Sequence, residues 1–246
     1  MLKRRIGESQ ATIKEEITMA GQGMGEYCVD IVMCIDATAS MTPIIGEVKA
    51  NAISFYQRFV EAMEENDKEV ETLRIKVIVF RDYGVDEEPM VESGFFVMPD
   101  QNEDFRAFVS GIEAIGGGNE PENALEAIAL ALKSDWTTGG SKRRHAILVF
   151  SDASALPLGE RAGSPKYPAD MPADIAQLGA WWEGTDQTLS SNYQPTAGRL
   201  VAFVPNASPW TEMQAWNRYW PAFSPAGTGL SDVDIQSAID LMVGSF

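Results

Sequence analysis

The sequence predicts an α/β fold: a doubly wound, mostly parallel central sheet with helices on both faces. Near-continuous apolar runs alternate along the chain with helical stripes, the pattern of βα units. Tyr27 to Ile35 is near-continuous, as expected of a central parallel strand buried on both faces, and Leu73 to Phe80 alternates before becoming fully apolar. Hydroxyl- and glycine-rich loops follow several runs, and open α/β sheets bind ligands beyond the carboxyl ends of their strands.

The elements follow in order. Residues 1–26 are polar and end in a stretch carrying Gly21, Gly23 and Gly25, which reads as a flexible joint, so they form an N-terminal arm. Ile6, Ile13 and Ile17 mark a weak amphipathic stripe within it. Residues 27–246 form the one domain, consistent with a chain of 246 residues that is 45% hydrophobic. Tyr27 to Ile35 is the first strand, apolar but for Asp30. Thr42-Pro43 reads as a helix cap followed by proline at the first helical position. Ile44, Val48, Ala52, Phe55, Phe59 and Met63 then recur at helical spacing. Leu73 to Phe80 is a second strand, Gly94 to Met98 a third, and Phe105 to Ile112 a short helix. Residues 116–122 form a glycine-rich loop into a helix from Asn123 to Lys133. Ala146 to Phe150 is the next strand, and residues 153–171 are a surface loop rich in Pro, Gly and Ser. A helix over Ala173 to Trp182 and a strand over Arg199 to Val204 come next. A Trp-bearing helix capped by Ser208 is expected over Pro209 to Tyr219, then a weak strand at Ala222-Phe223 and a last helix from Asp232 to Met242.

Composition narrows the function. The net charge is −17, from 19 Lys+Arg against 36 Asp+Glu, so free nucleic acid and anionic membranes are poor partners. Cys28 and Cys34 lie six residues apart on one strand, about 20 Å and beyond disulfide reach, so both read as reduced thiols. The one histidine, His145, has no Cys/His cluster around it, which argues against a zinc site or a histidine-based triad. Lys3-Arg4-Arg5 is not followed by an apolar core, so no signal peptide is expected, and no stretch reads as a membrane span. A cytoplasmic location is the expectation.

Three segments carry candidate chemistry. Asp36-Ala37-Thr38-Ala39-Ser40 follows the first strand with D-x-[S/T]-x-S spacing. Gly116-Gly117-Gly118-Asn119-Glu120-Pro121-Glu122 is the second, and Ser151-Asp152-Ala153 follows the strand ending at Phe150. Side-chain oxygens converging at strand ends suit a hard divalent cation, Mg2+ or Mn2+. Asp36, Glu122 and Asp152 would supply anions, Thr38 and Ser40 neutral hydroxyls. Each residue has another reading. Asp36 and Ser40 would serve equally as helix caps, Glu122 as a carboxylate at a helix N-terminus, and Asp152 as a turn residue. The glycines are not a phosphate loop, because no Gly-Lys-Ser/Thr follows. Asp36 to Ser40 lacks the second aspartate that aspartyl phosphatases use.

In this order the three segments resemble the metal-ion-dependent adhesion site (MIDAS) of von Willebrand factor A (VWA) domains, a Rossmann-like fold. The resemblance spans about residues 27–246 and is strongest through residue 153. The second segment lacks the usual threonine and is similar to the x-Pro-Glu variant of integrin β subunits, hemicentin-type and α-kinase-associated domains. That variant implies Glu122 as the ligand, with Pro121 in the first helical turn and Asn119 reaching the metal through water. Phe80-Arg81-Asp82-Tyr83-Gly84 also looks like this branch, without an evident role. The resemblance implies a metal-dependent protein-interaction module rather than an enzyme. It would bind a partner's Asp or Glu, with kinases, phosphatases or AAA+ ATPases as partners by analogy. The competing readings are a metal-dependent, phosphatase-like hydrolase and a metal-free structural domain. Trp181, Trp182, Trp210, Trp216 and Trp220 read either as an aromatic recognition surface or as helix packing.

Overall fold

The protein is described as a computed structural model covering residues 26–118, 120–224 and 235–246. The arm up to residue 25, Asn119 and residues 232–234 of the last expected helix lie outside the described residues.

Seven described strands make one mixed sheet: β1 (Tyr27–Asp36), β2 (Val70–Phe80), β3 (Met90–Glu92), β4 (Phe96–Met98), β5 (Lys142–Phe150), β6 (Gly198–Pro205) and β7 (Tyr219–Ser224). The spatial order is β3-β2-β1-β5-β6-β7, and β4 pairs with β2 beside β3. Every pair among β2, β1, β5, β6 and β7 is parallel; β3 and β4 run antiparallel to β2. The helices are α1 (Ile45–Glu65), α2 (Asn102–Ser110), α3 (Ala124–Leu132), α4 (Ile175–Glu183) and α5 (Ile235–Gly244).

Successive side chains of β1 point to opposite faces. Ile31, Met33 and Ile35 join a core with Phe55 and Phe59 of α1, Phe105 of α2 and Ile239 of α5. Val32 and Cys34 join a second core with Ile128 of α3, Leu178 of α4 and Trp210. Two cores on two faces are the doubly wound arrangement. The polar residue within β1 is also accounted for. Buried Asp30 takes a bidentate ion pair from Arg74, at 2.7 and 2.6 Å, and the Thr137 amide at 2.6 Å. Both cysteines are free and buried.

Several local expectations are corrected. The helix expected to begin at Thr42-Pro43 begins at Ile45, because Ala39–Met41 form a 3-10 turn and Thr42 already has helical backbone angles. An N-cap needs a non-helical backbone, and the Thr42 hydroxyl instead donates to the Ala39 carbonyl at 2.7 Å. The expected Pro209 to Tyr219 helix is only a 3-10 turn, Glu212–Ala215. Trp210 is buried with its indole N–H on the Ala153 carbonyl at 3.1 Å, and Tyr219 is already paired in β7 with Leu200. Anchored at both ends, the segment cannot close a regular helix. Ser208 does not cap it; its hydroxyl bonds Glu212 Oε1 at 2.6 Å. Trp181, Trp182 and Trp210 are core residues, which leaves only Trp216 and Trp220 half-buried. No helix among the described residues is long and apolar enough to cross a membrane.

Candidate metal centre

The chain's turn from β1 toward one side of the sheet and later to the other places the ends of β1 and β5 at the topological switch point. Asp36 is the last residue of β1 and is fully buried. Its Oδ1 accepts the Thr38 amide at 2.9 Å and the Thr38 hydroxyl at 2.7 Å. Its Oδ2 accepts the Ser151 hydroxyl at 2.6 Å. Thr38 Oγ1 and Ser40 Oγ are 3.0 Å apart, and Ser40 donates to Asp152 Oδ1 at 3.0 Å. A continuous chain of oxygens therefore runs Ser151–Asp36–Thr38–Ser40–Asp152. None of the three first-segment residues caps a helix with its side chain.

The second segment is fastened to the first through its backbone. The Ile115 amide donates to the Ala37 carbonyl at 2.9 Å, and the Ala39 amide to the Gly116 carbonyl at 3.1 Å. Gly117 has φ +86°, and a Cβ there would lie 2.5 Å from Thr38 Cβ and 3.0 Å from Glu122 Oε1. Only glycine permits that approach in that conformation.

Glu122 does not follow a helical Pro121 as expected. It is extended and pairs with Ala155, its amide on the Ser154 carbonyl and its carbonyl on the Leu156 amide. This pairing delays α3 until Ala124, so Glu122 is not a first-turn helix residue. Glu122 is 2% exposed, and its Oε2 has no hydrogen-bond partner. Glu120, the alternative carboxylate, is exposed.

Burial pushes the Glu122 carboxyl up to about 9, and Asp36, Asp82, Asp86 and Asp152 push the same way. Burial raises Asp36 to about 6, against the opposing hydrogen bonds from Ser151 and Thr38. Asp152 is raised by burial, with the Ser40 hydrogen bond opposing.

The structure adds residues that sequence reasoning left without a role. Arg81 donates to the carbonyls of Ala37, Glu88 and Glu113, at 3.0, 3.1 and 2.9 Å, and so ties together three loops. Asp82 holds Arg161 in a bidentate pair at 2.8 and 2.9 Å, which pins the 153–171 segment. That segment is not wholly surface: Ala153, Ala155, Leu156 and Leu158 are buried. Asp86 accepts the Gly117 amide at 3.0 Å. Ser151 lies in the Ser151-Asp152-Ala153 segment, so the sequence carries a signal for it, and carries none for Asp86.

Among the described residues, no group of three or more His, Cys, Asp or Glu is gathered to hold a metal by itself. The donors here are mixed, hydroxyls with carboxylates, and the set fits a hard cation. Glu122 Oε2 is buried without a partner, and burial holds the carboxyls of Asp36, Glu122 and Asp152 above their ordinary range.

Comparisons with known proteins agree with this architecture. Among solved structures, the pilus adhesin SpaC from Lactobacillus rhamnosus GG is similar at TM-score 0.53 and 11% identity, over 90% of this chain and 31% of that one. A von Willebrand factor type A protein from Catenulispora acidiphila is similar at TM-score 0.52 and 12% identity, over 89% of this chain and 43% of that one. At such identities the likeness concerns the fold, and this chain spans less than half of either relative. No curated protein matches the sequence. Residues 30–158, just over half of the 246, match the von Willebrand factor A domain. The chain therefore belongs to the von Willebrand factor A domain family.

Proposed function

We propose that this chain is a protein-interaction module that recognises an Asp or Glu of a partner protein at a metal-ion-dependent adhesion site. Asp36, Thr38, Ser40, Glu122 and Asp152 would hold one Mg2+ or Mn2+, with Asn119 contributing through water. The observation that carries the reading is Glu122, a buried carboxylate with an unpartnered oxygen, set against Gly117 beside Thr38. When bound, the cation offers a coordination position to an acidic side chain, a more directional contact than a surface ion pair. The residues of the chain do the rest. Thr38 and Ser40 add oxygens without charge, Ser151 and the Thr38 amide hold the Asp36 carboxylate in orientation, and Gly117 lets the second loop close on the first.

We propose interaction rather than catalysis. His145 is buried, with its ring on the Thr137 carbonyl and the Gln194 amide, and both cysteines are buried. None is positioned as a general base or nucleophile for this site. The proposed partners are proteins that present an acidic side chain; by analogy, kinases, phosphatases or AAA+ ATPases inside the cell. A metal-free structural role is the second reading, since the oxygens of Asp36, Thr38 and Ser40 also satisfy one another.

Isothermal titration of the purified chain with Mg2+ and Mn2+ separates the two. One site is expected, weakened at least about tenfold in Asp36→Ala and in Asp152→Ala, a loss of about 1.4 kcal/mol or more. Equal affinity in both variants, or no binding to the native chain, would overturn the proposal.

A further inference from the structure

Beside the candidate site is a groove of about 780 Å3, between the β2–β3 connection and the C-terminal end of α2. Phe108, Ile112 and Ile115 give it an apolar lining, and Ile115 is 54% exposed. Glu87, Glu88 and Glu113 line it as well, and all three are exposed. The two cations at the groove are committed to carbonyl oxygens: Arg81 to those of Ala37, Glu88 and Glu113, Lys166 to those of Asp86 and Glu87. Among the described residues, none of the three glutamates has an ion-pair partner. An apolar strip edged by unpaired carboxylates calls for a segment in which apolar and basic side chains lie close together.

The chain carries such a segment. Leu2 and Ile6 flank Lys3-Arg4-Arg5, so residues 2–6 combine three positive charges with two aliphatic side chains in a protein of net charge −17. The segment also has the reach. The described chain begins at Glu26, at the start of β1, and the groove adjoins Val79 and Arg81, at the far end of β2 beside it. Ten strand residues span about 30 Å. The 20 residues between Arg5 and Glu26 can reach at most about 70 Å, more than twice that distance.

We propose that the groove docks the chain's own N-terminal segment, with Leu2 and Ile6 on the Phe108–Ile112–Ile115 strip and Lys3, Arg4 and Arg5 against Glu87, Glu88 and Glu113. This contact does not depend on a metal. It does have a consequence for the neighbouring site, because Asp86, at the groove, also accepts the Gly117 amide. A docked segment covers Ile115 and lies beside the second loop.

Zero-length carbodiimide cross-linking of the full chain at low micromolar concentration tests it, read by peptide mapping. The Lys76–Glu92 pair, at 2.7 Å, is the internal standard for the chemistry. Expected are links from the Lys3 amine to Glu87, Glu88 or Glu113 within the monomeric product. They should fall about fivefold or more at roughly 0.5 M salt, where screening is strong. They should fall similarly in Arg4→Glu/Arg5→Glu, which keeps Lys3, and in Ile115→Ser, which alters only an exposed side chain. Links from the arm spread over unrelated carboxylates, or none while Lys76–Glu92 forms, overturn the proposal. Arm links confined to a dimeric product also overturn it and assign the groove to a second copy of the chain.

Discussion

Glu122 is the residue whose cost most needs a compensating role. A buried polar group without a partner costs about 1–3 kcal/mol, and more when charged. Its carboxyl is raised to about 9, above the ordinary value of 4.5. Its contribution to stability is therefore full below pH 4.5 and lost as the pH rises toward 9. In chelator at pH 8, Glu122→Gln should raise the melting temperature by several degrees, and by less at pH 5. Adding Mg2+ should then stabilise the native chain more than the variant. A variant that melts with the native chain at both pH values would count against a buried, unpartnered carboxyl at this position. His145 runs the other way. Buried between Trp136 and Tyr193, it is lowered to about 4, so its contribution is full above pH 6.5 and lost as the pH falls toward 4. Urea unfolding should show about 2 kcal/mol less stability at pH 5 than at pH 7 from this group, a difference that His145→Gln removes. If the variant keeps the same slope, other groups carry it.

At the scale of elements, the close approach of the second loop rests on Gly117. Gly117→Ala must adopt φ near +86° and push aside Thr38, so a loss of about 2 kcal/mol or more is expected in thermal unfolding. Gly46→Ala, with open space at the start of α1, should be neutral or stabilising by up to about 1 kcal/mol and serves as the control. Legibility in the sequence divides along similar lines. β1, β2, β5 and β6 were readable because each is an apolar run that needs only burial. β3 was not, since three residues carry no period. The first segment of the site was readable from spacing alone. The extended backbone at Glu122, where a helical turn at Pro121 is expected, comes from its pairing with Ala155, a contact across 33 positions that no local pattern encodes. The helix expected at Pro209 failed for the same kind of reason, with Trp210 drawn into the core by the Ala153 carbonyl.

For the whole molecule, the sequence pattern was enough to give the doubly wound sheet, but not how its loops are braced. Arg81 and the Asp82–Arg161 pair do that, and they work through carbonyls and partners distant in sequence. Because Arg161→Ala leaves Oδ2 of the buried Asp82 without a partner, it should cost about 1–3 kcal/mol globally. It should also speed amide exchange across residues 81–88 and 153–171. Exchange confined to residue 161 and its neighbours would mean that the brace is not shared. The position of β1 has a further consequence, for biosynthesis. Its two neighbours come from opposite sides of a long stretch of sequence, β2 ending at Phe80 and β5 at Phe150. A ribosome adding about 5–20 residues per second takes roughly 4–14 s to cover those 70 or so residues. During that interval the nascent chain can pair β1 with β2 while the opposite edge, the innermost seam of the finished protein, stands open. An unpaired apolar edge is a template for wrong partners, so the strand that ends in the candidate site is also the one whose newborn state most needs shielding.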